Sequence, residues 1–195
     1  MARISRSTVD LKADMMQACA SLFNEKGLKF TMTDVANRCH ISKKTMYLIF
    51  DDKDAMFLAA VDYTFDKIKE SEKEVLEDDS LDTISKLKRL LGVLPESYAE
   101  IDFSKMHSLR EKHPAIYKQV EKRLETGWEP SIELIKKGQE EGLIRKDIHV
   151  ALVKTMVEAS LEQFFQRDIL VQNKISYNEA LKEIVEVIIE GIRER

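Results

Sequence analysis

Apolar side chains recur every three or four residues along most of this sequence, which is the spacing of one face of an α-helix. Short polar stretches and prolines interrupt the pattern and divide it into candidate helices. After an N-terminal region of shorter segments, these cover about 52–77, 80–94, 103–112, 114–142, 147–171 and 176–193. Only six Gly and three Pro occur in 195 residues, which disfavours a β-rich, turn-rich fold. The sequence therefore predicts an all-α protein of about nine helices.

Polar side chains at helix starts predict several boundaries. Asp51 or Asp52 can accept a backbone N–H of the helix that follows directly, and Ser80 can do the same for the next helix. The turn over 142–147 ends on Asp147, which is expected to cap the following helix. These caps place the breaks between helices but leave the packing of the helices open.

Prolines mark two further features of the middle of the chain. Pro114 ends the short helix before it, because proline pushes the preceding residue out of the helical region, and it can itself begin a helix. Gly127 and Pro130 fall inside the segment that follows. Proline removes one backbone hydrogen bond and crowds the preceding turn, so a kinked helix is expected there.

The segment 31–53 predicts two short helices joined by a tight turn. Thr31 and Asp34 fit a capping box, in which the hydroxyl accepts a backbone N–H and the acid lies near the positive end of the helix dipole. Ser42 can cap the second helix, whose buried face includes Met46. This layout is typical of a helix-turn-helix, which places its second helix in the major groove of DNA.

The start and exposed side of that second helix carry polar and basic side chains suited to DNA. Lysine can donate to guanine O6 and N7, and the threonine methyl group can touch the methyl group of thymine. A tyrosine hydroxyl and the first amides of the following helix can bind phosphates, although the tyrosine ring could equally pack the motif. The predicted DNA-binding residues are Thr33, Ser42, Lys43, Lys44, Thr45, Tyr47, Leu48 and Lys53.

Residues about 10–58 resemble the N-terminal domain of the TetR/AcrR family of bacterial transcriptional regulators. The resemblance rests on many fixed spacings and implies a homodimeric, sequence-specific DNA-binding regulator. Most members are repressors, which bind a palindromic operator and are released by a small-molecule effector. The resemblance is carried by the run from Ala18 to Gly27 and by Val35-Ala36, Ile41-Ser42-Lys43, Thr45-Met46-Tyr47, Phe50 and Lys53-Asp54.

Two residues depart from the usual pattern of the family. His40 occupies the turn, where the family often has a glycine that adopts the left-handed conformation freely. Lys44 also stands where the family often has glycine, and it adds charge close to the DNA. Both changes bear on the operator sequence and the docking geometry, and neither changes the expected class of protein.

Charge is unevenly distributed along the chain. Residues 1–53 carry nine Lys/Arg and six Asp/Glu. The remainder carries 22 Lys/Arg and 29 Asp/Glu, and the net charge of the whole chain is −4. A basic module on an acidic body suits a DNA-binding protein, although a bias of this size also arises by chance. No segment approaches the ~18 uninterrupted apolar residues of a membrane span, and no signal core is evident. A cytoplasmic protein without a membrane partner is expected, nucleoid-associated when bound to DNA.

The chain is expected to divide into a DNA-binding domain over 1–54 and a helical effector-binding and dimerisation domain over 55–195. The last two predicted helices are its most apolar part, with faces wider than one packing partner requires. They are either central core helices or, as the resemblance favours, the interface of a two-fold homodimer. The predicted interface residues are Val150, Val153, Val157, Leu161, Ile184 and Ile188.

A small apolar effector of unknown identity is the expected ligand of the second domain. Aromatic and methionine side chains at helical spacing suggest a cavity among its helices, although such residues also fill ordinary cores. The predicted pocket residues are Phe103, Met106, His107, Trp128 and Phe164, with His107 orienting the ligand unless it is simply a solvated surface histidine. A DNA-binding structural or adaptor protein on the same scaffold, without an effector, is the alternative.

Other chemistry has little support in the sequence. A Gly-rich phosphate loop, a nucleophile elbow and an HExxH zinc motif are all absent, so an enzyme is not expected. Cys19 and Cys39 are interpreted as small buried core residues, with a redox or metal sensor as the minor alternative. Neither a metal nor an organic cofactor is predicted.

Overall fold

The computed structural model describes residues 7–92 and 109–195. Within these ranges the chain is helical, as the sequence predicts, and three of its eleven α-helices are no longer than five residues. A short 3₁₀ turn, Gly27–Lys29, follows the first helix. The helices are α1 (Thr8–Lys26), α2 (Met32–Arg38), α3 (Lys43–Tyr47), α4 (Lys53–Glu77), α5 (Thr83–Gly92), α6 (Leu109–Lys112), α7 (Pro114–Glu125), α8 (Glu129–Glu140), α9 (Val150–Gln166), α10 (Ile169–Asn173) and α11 (Tyr177–Ile192).

Helices α1 to α3 enclose a small core with the start of α4, and this unit is called the head below. The rings of Phe23 and Phe30 contact the ring of Phe57 from α4, with centroids 5.1 and 5.8 Å away. Val35 from α2 and Met46 from α3 are fully buried beside them. Because α4 supplies part of this core, the head is complete only with that helix in place.

Helix α4 continues from the head into the rest of the chain, which is called the body. Asp52 caps its first turn by accepting the N–H of Ala55 at 2.7 Å. The helix packs on α1 near its start and on α5 and α7 further along. The proposed division at residue 54 therefore lies within one continuous helix rather than in a linker.

Polar contacts fix the register of α4 against α7. Asp62 accepts from Gln119 at 2.6 Å, and Asp66 accepts from Arg123 at 2.6 Å. The partners in both pairs are 57 positions apart in sequence, so the two helices run parallel and side by side. We call this row of contacts the α4–α7 ladder.

The body buries one face of each of its longer helices in a continuous core. Leu87 from α5, Ile116 from α7, Ile135 from α8 and Ile189 from α11 are fully enclosed there. Ile144, in the turn after α8, also forms an antiparallel bridge with the residue that follows α11. In the described ranges, no helix combines the length and apolar composition that crossing a bilayer requires.

The kink expected in the middle of the chain is a complete break. Three residues separate the end of α7 from the start of α8, and Gly127 among them adopts a left-handed φ of 79°. Pro130 lies within the first two positions of α8, where a missing N–H group costs no helical hydrogen bond. The glycine ends one helix and the proline starts the next, so these two residues separate two helices instead of kinking one.

Two of the predicted caps are wrong. Ser80 bonds the carboxylate of Asp78, and Asp82 instead accepts an N–H of the first turn of α5 at 2.7 Å. Asp147 pairs with Arg145 at 2.7 Å within the turn, and α9 begins three residues later without a side-chain cap. The single helix expected there is two helices, α9 and α10. For both Ser80 and Asp147, a nearby polar partner competes with the helix terminus for the side chain.

His40 provides a test of the turn between α2 and α3, because its φ of 56° is left-handed. That conformation costs a residue with a β-carbon about 1–2 kcal/mol. We predict that His40→Gly raises the free energy of unfolding by up to about 1 kcal/mol, since glycine's greater unfolded-state entropy offsets part of the gain. Lys44→Gly, inside α3, should lower it by about 1 kcal/mol. Urea denaturation followed by circular dichroism measures both, and destabilisation by His40→Gly would contradict this reading.

Candidate nucleic-acid interface and effector cavity

The start of α2 is held by the capping box that the sequence predicts. The Thr31 hydroxyl accepts the N–H of Asp34 at 3.2 Å, and the Asp34 carboxylate accepts the N–H of Thr31 at 2.7 Å. Lys26 at the end of α1 donates to the same carboxylate at 2.7 Å. Lys26 and Thr31 together lower the pKa of Asp34 to about 2. The carboxylate therefore fixes α2 against the end of α1.

A second contact fixes the end of α2. Arg38 donates two parallel hydrogen bonds to the Glu25 carboxylate, at 2.6 and 2.8 Å, and a third to the Ser21 hydroxyl at 2.8 Å. The Arg38 guanidinium lowers the pKa of Glu25. Sequence reasoning missed these positioning residues, because Arg38 and Glu25 are 13 positions apart and no local pattern relates them.

The turn after α2 sets the direction of α3. The N–H of Ile41 donates to the Ala36 carbonyl at 2.9 Å across the left-handed His40. Ser42 then caps α3 by accepting the N–H of Thr45 at 3.0 Å, and the two hydroxyl oxygens lie 2.9 Å apart. Ser42 is thus part of the scaffold of α3, and the Thr45 side chain is half-buried beside it.

The remaining predicted residues of α3 form one exposed surface. Lys43, Lys44, Tyr47 and Leu48 project to solvent, whereas Met46 of the same helix is fully buried in the head. Within the described ranges, neither lysine forms an ion pair. We call these four residues the α3 surface. Its two adjacent ammonium groups at the start of a capped helix suit the acceptor-rich edge of guanine and the phosphate backbone.

Lys53 lies differently from the expectation of an outward-facing charge. Its Nζ donates to the Leu28 carbonyl at 2.6 Å and lies 4.3 Å from the centroid of the Phe30 ring. Burial lowers the pKa of Lys53. The ammonium therefore serves the packing of the head, and the N-terminal amides of α4 are what this position offers to a phosphate. Thr33 is half-buried in the first turn of α2.

A cavity of about 100 Å³ lies in the body among α4, α5, α7, α8, α9 and α11. Its walls are mostly apolar and include four aromatic rings. These belong to Phe65, Trp128, Phe165 and Tyr177. One ion pair, Lys69–Glu72, also borders it. A mainly apolar cavity with a few polar groups is typical of a small-molecule site.

Of the two predicted pocket residues that the structure describes, one reaches this cavity. Trp128 lines it, and its indole N–H is occupied by the Leu124 carbonyl at 2.7 Å. Phe164 packs edge-on against the Tyr177 ring at 6.0 Å, and the next residue along the helix, Phe165, faces the cavity instead. The other three predicted pocket residues lie outside the described residues; these are Phe103, Met106 and His107.

The residues predicted for a dimer interface lie mostly inside the chain's own core. Four are buried and two, Val150 and Ile184, are half-buried, and Leu161 also lines the cavity. The exposed apolar side chains of α9 and α11 are Leu152, Met156 and Val187. Helical spacing identified the apolar faces of these helices but not which face meets the same chain. The four buried residues are Val153, Val157, Leu161 and Ile188.

Comparison with known proteins agrees with this geometry. A sequence profile of the bacterial regulatory proteins, tetR family, matches residues 16–60. The uncharacterized HTH-type transcriptional regulator YvaF of Bacillus subtilis (strain 168) is 26% identical over 171 residues, 88% of this chain and 90% of that protein.

Solved structures show the same fold over nearly the whole chain. A TetR transcription regulator from Haloarcula marismortui ATCC 43049 gives a TM-score of 0.71 at 18% identity, covering 95% of this chain and 100% of that one. The fatty acid degradation regulator FadR from Bacillus halodurans gives 0.67 at 16% identity, covering 97% and 100%.

The capped helix-turn-helix with its exposed basic α3 surface, carried on a helical body, defines a DNA-binding transcriptional regulator. Within that class, residues 16–60 match the DNA-binding domain of the tetR family, as the resemblance of residues about 10–58 had indicated.

The half-buried position of Lys53 leads to a stability prediction. Lys53→Met keeps most of the side chain but removes the hydrogen bond to Leu28 and the charge over Phe30. We expect it to lower the free energy of unfolding by about 1–2 kcal/mol. Lys43→Met, on the exposed α3 surface, should change it by less than about 0.5 kcal/mol. Equal effects of the two substitutions in chemical denaturation would contradict the packing role of Lys53.

Proposed function

We propose that the protein is a repressor that binds a palindromic operator as a homodimer and leaves it when a small effector occupies the cavity. It would act in the cytoplasm, on the nucleoid. The α3 surface carries the DNA-binding part of this proposal, because it presents two adjacent lysines on a helix that the turn and the Ser42 cap hold outward. The exposed faces of α9 and α11 support the dimer.

In this proposal α3 enters the major groove from its N-terminal end. Lys43 and Lys44 donate to guanine acceptors, and the methyl group of Thr45 meets a thymine methyl. The Tyr47 hydroxyl and the first amides of α4 bind phosphates and set the register. Two heads related by two-fold symmetry then read half-sites about 34–36 Å apart, or a multiple of one turn.

The dimer surface that fits the structure is the outer side of α9 and α11. On α9 an uncharged stripe at spacings of three and four residues is exposed, with Met156 56% accessible at its centre. On α11 the side chain of Val187 is 69% accessible. The two helices pack against each other and bury their other faces in one core, so the exposed apolar residues lie on their outer sides. A second copy is the occupant that two-fold symmetry and the family suggest. The α9 stripe consists of Leu152, Thr155, Met156, Ala159 and Gln163.

The α4–α7 ladder supports a route from the cavity to the head. Lys69 and Gly127, at one end of the paired helices, border the cavity, and α4 begins in the core of the head. His113, just before α7, contacts Asp54 in the first turn of α4 at 3.0 Å. An effector that prefers one arrangement of these helices would change the spacing of the two heads.

The DNA-binding proposal is tested on an operator selected from a random pool of duplexes. Lys43→Ala should cost about 1–3 kcal/mol of binding free energy and relax the preference at one or two base positions. The Lys43, Lys44 double alanine variant should also show a smaller salt dependence. Lys73→Ala, on the exposed surface of the body, is the matched control and should leave both unchanged. Wild-type affinity in a folded double variant would contradict the assignment of α3.

The dimer proposal is tested with charges placed on exposed positions. Met156→Glu and Val187→Glu should give folded monomers, because an unpaired charge buried at an interface costs several kcal/mol. Val9→Glu, at an apolar position in α1 that is more exposed than either, should leave the dimer intact. Sedimentation and circular dichroism distinguish a monomer from an unfolded chain. A monomeric wild-type protein, or dimers in both variants, would overturn the interface.

A further inference from the structure

The cavity wall contains an acidic side chain that is held away from solvent. Glu72 of α4 is only 14% accessible and lies among apolar neighbours. Lys69, one turn earlier, donates to both of its carboxylate oxygens at 2.7 and 2.9 Å. The same ammonium donates to the Gly127 carbonyl at 2.7 Å, in the break between α7 and α8. Three acceptors thus surround one cationic nitrogen at the edge of the cavity.

The two charged partners differ in how easily they can leave. The Lys69 side chain is 40% accessible and flexible, so it can turn into solvent at little cost. Glu72 has no such freedom, and burial raises its pKa although the Lys69 ammonium opposes that shift. Without Lys69 the carboxylate would be a buried charge without a partner, which is strongly unfavourable. The Glu72 carboxylate is therefore the fixed group of the cavity wall, and it requires a cationic partner.

The remaining walls favour the same ligand chemistry. The aromatic rings of Phe65, Trp128, Phe165 and Tyr177 border the cavity, and the faces of such rings attract cations. Gly127 adds a carbonyl oxygen that accepts hydrogen bonds. A primary ammonium group matches a carboxylate, a carbonyl and aromatic faces at once.

The charges around the cavity disfavour an anionic ligand. Among the described lining residues the other cation is Arg123, which donates to Asp66 at 2.6 Å and lies 3.7 Å from Asp62. Its charge is already balanced by two carboxylates of α4. An anion would enter beside Glu72 without a spare positive charge to receive it.

We propose that the cavity binds a compact primary amine in its ammonium form, whose nitrogen takes the place of the Lys69 ammonium between Glu72 and Gly127. This assignment rests on the effector role proposed above and gives the ligand its chemical class. The volume of about 100 Å³ is somewhat smaller than an apolar cavity of ~150 Å³, which accepts benzene, so a ring needs a little more space than the closed cavity offers. The space that the Lys69 side chain vacates extends it.

Replacement of Lys69 by a free amine also has a mechanical consequence. The lysine hydrogen bond to Gly127 ties α4 to the α7–α8 break. A β-carbon at Gly127 would lie 2.8 Å from the Lys69 Cε, so the lysine and this glycine are closely fitted. An amine between the same acceptors satisfies them without a covalent link to α4. The ligand therefore replaces the covalent tether of Lys69 by non-covalent contacts to Glu72 and Gly127, which loosens α4 against the α7–α8 break.

The test uses Lys69→Ala and the probe phenethylamine at neutral pH, where it is a cation. The variant should melt at a lower temperature than wild type, and phenethylamine should restore its stability in a concentration-dependent way. The neutral analogue 2-phenylethanol and the anionic analogue 3-phenylpropanoate should not. Lys67→Ala is the matched control, since Lys67 pairs with Glu70 on the same helix away from the cavity. It should be stabilised by phenethylamine no more than the wild-type protein is, and the other two compounds should have no effect on it.

Glu72→Gln in the wild-type background gives a second measurement that does not need the alanine variant to fold. Calorimetric titration should show at least a tenfold loss of phenethylamine affinity, whereas the affinity for 2-phenylethanol should not change. Equal effects of amine and alcohol on Lys69→Ala, or unchanged amine affinity in Glu72→Gln, would overturn the proposal. Both measurements omit DNA, so a wild-type protein that binds the amine but no selected operator would refute the proposed regulator function instead.

Discussion

The packing of α4 against both α1 and α7 is the constraint on which the rest of the structure depends. Its first turns complete the core of the head, where Phe57 contacts two aromatic rings. Its later turns are locked beside α7 by Gln119 and Arg123. A continuous helix has no flexible joint that could absorb relative motion, so the head follows the tilt of α4. The position and orientation of the α3 surface therefore depend on the body as well as on the head.

The contacts between α4 and α7 differ in strength along the two helices, and this difference bears on how the pair would respond to an effector. Arg123 bridges two carboxylates and packs over the Phe65 ring at 5.4 Å, which makes the middle of the ladder its firmest part. At the two ends, Lys69 contacts Gly127 and His113 contacts Asp54, and both contacts involve side chains that are partly exposed to solvent. In the proposed response to an effector, the two helices would pivot about that centre. Small changes near the break can thus reach the first turn of α4.

The sequence was sufficient to predict those features that depend on interactions within a few residues along the chain. The Thr31–Asp34 capping box, the Ser42 cap and the end of the helix before Pro114 depend on neighbouring residues, and all are present. The left-handed turn at His40 followed from the resemblance rather than from the residue itself. Most of the α3 surface was also accessible to this reasoning, because exposure on a short helix follows from its period.

Features that depend on distant contacts were not accessible in the same way. The period of α9 and α11 identified apolar faces, but only the folded chain shows that Val157 points inward and Met156 outward. Lys53 was expected to face DNA, and the Leu28 carbonyl that holds it lies 25 positions away in sequence. The same limit applies to Glu72, whose burial depends on helices far along the chain. The local sequence pattern determines which residues share one face of a helix. Tertiary packing determines whether that face contacts the core, a partner or solvent.

The burial of both cysteines in the head gives the protein an internal chemical reporter. The chain contains two cysteines, and Cys19 and Cys39 both lie in the core built by α1 to α3 and the start of α4. Burial raises the pKa of the Cys19 thiol to about 12, so the reactive thiolate is scarce until water reaches it. A soluble thiol reagent therefore labels the protein at the rate at which the head opens. Fraying of the body alone leaves no covalent mark, so labelling kinetics separate the local stability of the head from that of the remaining chain.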